Sequence, residues 1–119
     1  MDDDIKKIVV KVGTNVLTNK DNRILGPVLR ELVRQISVLN ERNIDVVLVS
    51  SGSAIAGKEV LGEIKATDKA IRRQIYSSVG QPRLMRHYYS IFHDYGMRCA
   101  QVCPPSMILW MTPITFTCL

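Results

Sequence analysis

Long apolar runs are missing from this 119-residue sequence, and no stretch approaches the roughly twenty apolar residues that a membrane-spanning helix needs. The opening MDDDIKK is acidic and lacks the apolar stretch of a signal peptide. The expectation is a soluble, cytoplasmic protein without a membrane partner. Cysteine is scarce: Cys99, Cys103 and Cys118 are odd in number and fit neither a disulfide framework nor a Cys-x-x-Cys metal site. They read as reduced thiols. The two histidines, His87 and His93, stand six apart on one helical stretch, hence on different faces. They read as solvated side chains, and no protein-bound metal is expected. Charge of one sign is not abundant either. The net charge is +5, and the basic residues are scattered, with Arg72, Arg73, Arg83 and Arg86 the nearest thing to a cluster. Without a basic run or interleaved aromatics, a nucleic-acid surface is not expected.

What is present is ordinary globular material, 46% hydrophobic and 23% charged, enough for one small domain with a modest core. Residues 8–12 (IVVKV) form a β-branched run with one lysine and read as a buried strand of a parallel sheet. Gly13-Thr14-Asn15 breaks it as a turn. Between Pro27 and Arg42, the residues Val28, Leu29, Leu32, Val33, Ile36 and Leu39 recur at three- and four-residue steps. That spacing predicts an amphipathic helix with proline in its first turn and a stop at Asn43. Residues 46–49 (VVLV) give a second buried strand, and the small residues after Ser53 open another helix. Strand, helix, strand, helix is the start of an α/β sheet with right-handed crossovers. Further helices are expected over 68–78 and 82–94, separated at Gly80-Gln81-Pro82. The second would turn Leu84, Met85, Tyr88, Ile91 and Phe92 inward, and a third strand would follow within 97–102. Beyond Val102 the character changes. Residues 103–119 carry no charge, two adjacent prolines and the only tryptophan, with no clear period, and neither strand nor helix is expected there.

Two strand ends carry candidate chemistry. Lys11 lies in the first strand just before Gly13 and Thr14. A lysine in a buried strand is costly unless its ammonium reaches a counter-charge, and a glycine lets backbone amides approach a phosphate. The same residues also read as an exposed strand-end lysine before a turn. Ser50-Ser51-Gly52-Ser53 directly follows the second strand. Ligands of open α/β sheets bind beyond the carboxyl ends of strands, and hydroxyls and amides at a helix start suit a carboxylate or phosphate. A serine N-cap would explain that segment without any ligand. Gly57-Lys58 lacks the rest of a Walker A loop, so this is not a P-loop. In Ser77-Ser78-Val79-Gly80-Gln81, Gly80 reads as a helix cap, and Tyr88, Tyr89 and Phe92 as core and rim aromatics.

Taken together, these pieces resemble one family. IVVKVGTNVL at 8–17, VLVSSGSAIAGKEVLG at 47–62, SSVGQPRLMRHYYSIFHDYG at 77–96 and CAQV at 99–102 are similar, in order and spacing, to the N-terminal part of glutamate 5-kinases. The first motif is shared with other amino-acid kinases. The resemblance implies a three-layer α/β sandwich with a mainly parallel sheet, truncated to its N-terminal part. It also implies ATP-dependent phosphorylation of the glutamate side-chain carboxylate in proline biosynthesis, with Mg2+ carried by the nucleotide and a homo-oligomer in full-length form. By resemblance, Lys11 stabilises the transferred phosphoryl group, Gly13 and Thr14 contact the phosphates, and Ser51, Gly52 and Ser53 bind glutamate. Ser53 departs from the pattern, where alanine is commoner.

The tail departs further. Family members continue with an acidic segment, an Asn-Asp motif and a second, adenine-binding half. Residues 1–102 are therefore expected to be the N-terminal part of the kinase domain and 103–119 an atypical end. Codons allowed for 103–116, read one nucleotide out of frame, spell LPTFNDFVDDTHYL, which resembles that acidic segment, so a frameshifted end is expected in the nucleotide sequence. The isolated chain is expected not to turn over glutamate. The alternatives are a non-catalytic fragment that binds a partner or carboxylate, and another amino-acid kinase such as an acetylglutamate kinase.

Overall fold

A computed structural model describes residues 5–21, 23–65, 68–102 and 114–118. The first strand, β1 (Lys7–Val12), pairs in parallel with β2 (Asp45–Ser50), in a register that sets Val12 against Ser50. Alternate side chains point to opposite faces of a sheet. Val12, Val46, Leu48 and Ser50 lie on the covered face and are buried, whereas Val9, on the other face, is 66% exposed. Both runs were expected to be buried on both sides. Among the described residues only one face of the sheet carries a helical layer, so the third layer of the expected sandwich is not seen.

Between the two strands come a single helical turn, α1 (Thr14–Leu17), and the long α2 (Gly26–Glu41). The predicted stripe holds: Leu29, Val33 and Ile36 are buried, and Val28, Leu32 and Leu39 pack around them. Pro27 sits in the first turn, where its missing N–H costs nothing. Asn43 ends the helix with φ 60, the left-handed conformation that asparagine tolerates. The amides of Asn43 and Ile44 then return to the carbonyls of Asn40 and Leu39 at 3.0 and 3.1 Å, closing a Schellman motif.

After β2 come α3 (Ser53–Leu61) and α4 (Lys69–Asp94). The break expected at Gly80-Gln81-Pro82 does not occur, and α4 runs through it. Proline inside a helix removes one backbone hydrogen bond and costs on the order of 3 kcal/mol. The continuous inward face offsets that cost, with Tyr76, Leu84, Met85, Tyr88, Ile91 and Phe92 all buried. Gly80 is not a cap. A methyl group built on it would overlap the Ser53 carbonyl and the Gly57 backbone, and one on Gly57 would overlap the Tyr76 carbonyl. Glycine at both places lets α3 lie directly on α4. The cap is Gly96 instead, at φ 70, with its amide on the His93 carbonyl at 2.9 Å.

The remaining strands, β3 (Cys99–Val102) and β4 (Ile114–Cys118), complete a four-stranded sheet in the order β1-β2-β4-β3. β4 is antiparallel to both neighbours, pairing Ser50 with Ile114 and Val102 with Thr115. A strand at 114–118 corrects the expectation of none in the tail. Three of its five residues, Ile114, Thr115 and Thr117, are β-branched and suit a strand, and it fills the space between β2 and β3 that would otherwise leave two open edges. The rest of 103–119 lies outside the described residues. No helix among the described residues is long and apolar enough to cross a membrane.

Candidate functional site

Parallel pairing of β1 and β2 brings their carboxyl ends side by side, so the residues that follow each strand emerge together. The Ser51 amide donates to the Val12 carbonyl at 3.0 Å, one further rung of the ladder. The Ser51 hydroxyl bonds the Val12 carbonyl at 3.2 Å and the Thr14 hydroxyl at 3.0 Å. Two loops that are 37 residues apart in sequence are thereby tied into one surface. The N-cap of α3 is Gly52, at φ 111, and no side chain caps the helix. The serines are therefore not used as caps. Ser51 bridges the loops, and Ser50 turns inward.

Gly52 is confined as well as left-handed. A methyl group there would touch Leu17 at 3.5 Å and Leu84 at 3.9 Å. Ser53 begins α3, whose first amides have no partners within the helix. Its carbonyl rests over Gly80, so the start of α3 is placed by its contact with α4.

These elements enclose a pocket of about 210 Å3. Residues 11–14 line it from the end of β1, residues 51–55 from the start of α3, and Arg73 from α4. No carboxylate is in the lining. Neither Lys11 nor Arg73 is in an ion pair among the described residues. Two uncompensated cations beside hydroxyls and a helix start make a surface for an anion. A larger cavity, about 640 Å3, lies elsewhere and is lined by Asp21, Glu59 and Glu63 as well as Lys58 and Arg83. Its lining mixes both signs, with Arg23 and Asp21 beside two ion pairs: Arg83 pairs with Glu59 at 3.4 Å and Lys58 with Glu63 at 3.0 Å, while Glu59 also accepts from the Ile24 amide at 2.6 Å. Size does not make that cavity the site. The smaller pocket has cations and no acid in its lining.

Behind the pocket, the Ser50 hydroxyl bonds the Tyr88 hydroxyl at 2.6 Å and the Ser51 carbonyl at 3.0 Å. Both Ser50 and Tyr88 are fully buried. Burial pushes the Tyr88 phenol up to about 12, against the opposing pull of the Ser50 hydrogen bond. Tyr88 in turn stacks near Phe92, with ring centroids 6.2 Å apart.

All six residues read as site residues in the sequence, Lys11, Gly13, Thr14, Ser51, Gly52 and Ser53, line this one pocket. Lys11 is exposed at its mouth rather than buried with a counter-charge. Sequence reasoning missed Arg73 and Tyr88. Arg73 was counted in a basic cluster that the fold disperses: Arg73, Arg83 and Arg86 line three different pockets. Its only signal was its spacing on α4, one turn before buried Ser77 and two before Gly80, although Arg73 itself is exposed. His87 and His93 are exposed, and no group of three or more potential metal ligands occurs among the described residues.

Comparison with known proteins bears on the family of the chain. A family model described as the amino acid kinase family matches residues 6–113. The chain is 35% identical over 102 residues to a protein of Bacteroides thetaiotaomicron called glutamate 5-kinase, covering 86% of the chain and 28% of that relative. A protein of the same name from Herpetosiphon aurantiacus is 43% identical over 102 residues, covering 85% and 28%. Another, from Maridesulfovibrio salexigens, is 41% identical over 97 residues, covering 82% and 26%. The chain thus spans little more than a quarter of the length of these relatives.

Proposed function

The chain belongs to the amino acid kinase family, and from that premise we propose that its pocket serves phosphorylation of the glutamate side-chain carboxylate by ATP. The observation that carries the reading is the Thr14–Ser51 hydrogen bond, which joins both strand-end loops around an acid-free pocket holding Lys11. The names of the similar proteins from Bacteroides, Herpetosiphon and Maridesulfovibrio support glutamate as the acceptor.

In this reading a carboxylate oxygen attacks the terminal phosphorus of the nucleotide in line, and no covalent enzyme intermediate forms. The work left to the protein is positioning and charge neutralisation. The Lys11 ammonium offsets charge on the transferred phosphoryl group. Gly13, with no neighbouring atom within 4 Å of where a side chain would begin, leaves its backbone open to a phosphate, and the Thr14 hydroxyl lies beside it. Ser51, Gly52 and Ser53 hold the glutamate. The lining fits phosphate and carboxylate groups but offers no carboxylate for a metal. Mg2+ would come with the nucleotide and neutralise its phosphates. Turnover is proposed for the full-length arrangement, of which this chain supplies the acceptor and phosphoryl loops. There the uncovered sheet face, with Val9 exposed and Val47 and Val49 half-buried, would carry the third layer of the sandwich.

The test is a calorimetric titration of the purified chain with L-glutamate and with L-glutamine, which differ in the reacting group. Saturable binding of glutamate and little of glutamine is expected. Equal binding of both, or none of either, contradicts the proposal.

A further inference from the structure

We propose that Arg73 is a specificity-determining residue of this pocket and pairs with the second carboxylate of the substrate, the one that is not phosphorylated. The inference rests on the glutamate reading and adds a residue that the strand-end motifs do not include.

Arg73 reaches the pocket because α4 is fixed at several points. The Asp68 carboxylate accepts from the Ala70 and Ile71 amides at 2.7 and 3.4 Å and sets the first turn. In the next turn the Tyr76 hydroxyl donates to the Gly62 carbonyl at 2.7 Å and accepts from the Ile64 amide at 3.2 Å, tying α4 to the end of α3. The Gly80 contact beneath Ser53 then sets how closely the helix lies to the substrate loop. Arg73 shares the helix face of Ser77 and Gly80, so these contacts place its exposed side chain at the rim of the pocket, beside the start of α3.

Its charge is uncommitted. Arg83, on the same helix, is held by Glu59, but Arg73 has no ion pair among the described residues and faces a lining without acids. A dicarboxylate amino acid brings two negative groups into a space of about 210 Å3, and the lining supplies two cations from different elements. Lys11 lies at the phosphate loop and suits the reacting end. A planar guanidinium matches a carboxylate with two parallel N–H bonds, which a lysine cannot do. Arg73 is therefore suited to fixing the far end, which sets both the length and the charge of the acceptor.

The probes are L-glutamate and 4-aminobutyrate, which keeps the amine and one carboxylate but lacks the second. The intact chain should bind glutamate more tightly than 4-aminobutyrate. In Arg73→Ala, glutamate affinity should fall about tenfold or more while 4-aminobutyrate is unchanged, as for a lost charge-assisted hydrogen bond. Arg73→Lys should fall between. Arg73 is exposed, so its variants should melt like the parent. Should the parent bind glutamate and Arg73→Ala keep the full preference, or weaken both ligands equally, the Arg73 assignment is overturned and the glutamate reading stands. Should the parent bind no glutamate, the glutamate reading falls and takes this assignment with it.

Discussion

Replacing Gly80 by alanine tests the packing that places the start of α3. In an isolated helix the change is favourable, by about 1 kcal/mol of intrinsic propensity. Here the added methyl group overlaps the Ser53 carbonyl and the backbone of Gly57. These are backbone atoms, not the far end of a flexible side chain, so relief requires α3 to retreat by on the order of 1 Å to regain van der Waals distance. Overpacking typically costs about 1–3 kcal/mol, and a backbone overlap belongs at the upper end. The net expectation is a loss of about 2 kcal/mol, which lowers the melting temperature by roughly 8 °C in a chain of this size. Because Ser53 moves with α3, glutamate affinity should fall as well. Thermal melting followed by circular dichroism, paired with the glutamate titration, reads both effects. Gly13→Ala is the matched control: nothing lies within 4 Å of the added atom and the backbone φ is −84°, so melting should stay within about 0.5 kcal/mol of the parent. A Gly80→Ala variant that melts at or above the parent would refute the close crossing of α3 and α4.

Two further outcomes follow from the same core. The Ser77 hydroxyl is fully buried with no hydrogen-bond partner among the described residues, so Ser77→Ala should raise stability by about 1 kcal/mol in urea denaturation, and a loss would mean the hydroxyl has a partner. Tyr88 loses its proton near 10.0 when unfolded but near about 12 in the fold, so the folded chain binds more protons between those values and stability falls as pH rises through that window. Burial raises Cys99 to about 11 and adds to the same slope. Tyr88→Phe should flatten the alkaline decline relative to the parent, and identical slopes would show that Tyr88 is not the titrating group.

The sheet start and the loops after β1 and β2 were legible because they rest on local signals. β-branched runs made β1 and β2, the spacing of Leu29, Val33 and Ile36 made α2, and Gly13 and Gly52 marked the turns beyond each strand. What misled was chemistry with two uses. Gly80-Gln81-Pro82 has the composition of a break, yet Gly80 serves a helix crossing and the burial of α4 outweighs the proline. That role depends on Gly57, 23 residues earlier, a pairing no local pattern reveals. Arg73 was hidden for a similar reason: in sequence it adjoins Arg72 and Arg83 follows, but the helix turns each to a different surface. The strand at 114–118 has β-branched residues, but its place depends on the gap between β2 and β3, which the segment alone does not reveal. The continuous apolar runs of β1 and β2 suggested two covered faces, and one is covered here.

In the proposed site, the ends of β1 and β2 bind one anion together. Its most direct test is the calorimetric titration of L-glutamate into the parent chain, Lys11→Ala and Ser51→Ala, with melting curves confirming that each is folded. Saturable binding by the parent and a loss of about tenfold or more in both variants are expected, since each removes a proposed charged or hydrogen-bonding contact to the ligand. Binding that survives unchanged in either folded variant would contradict it, because one of the two loops would then lie outside the site.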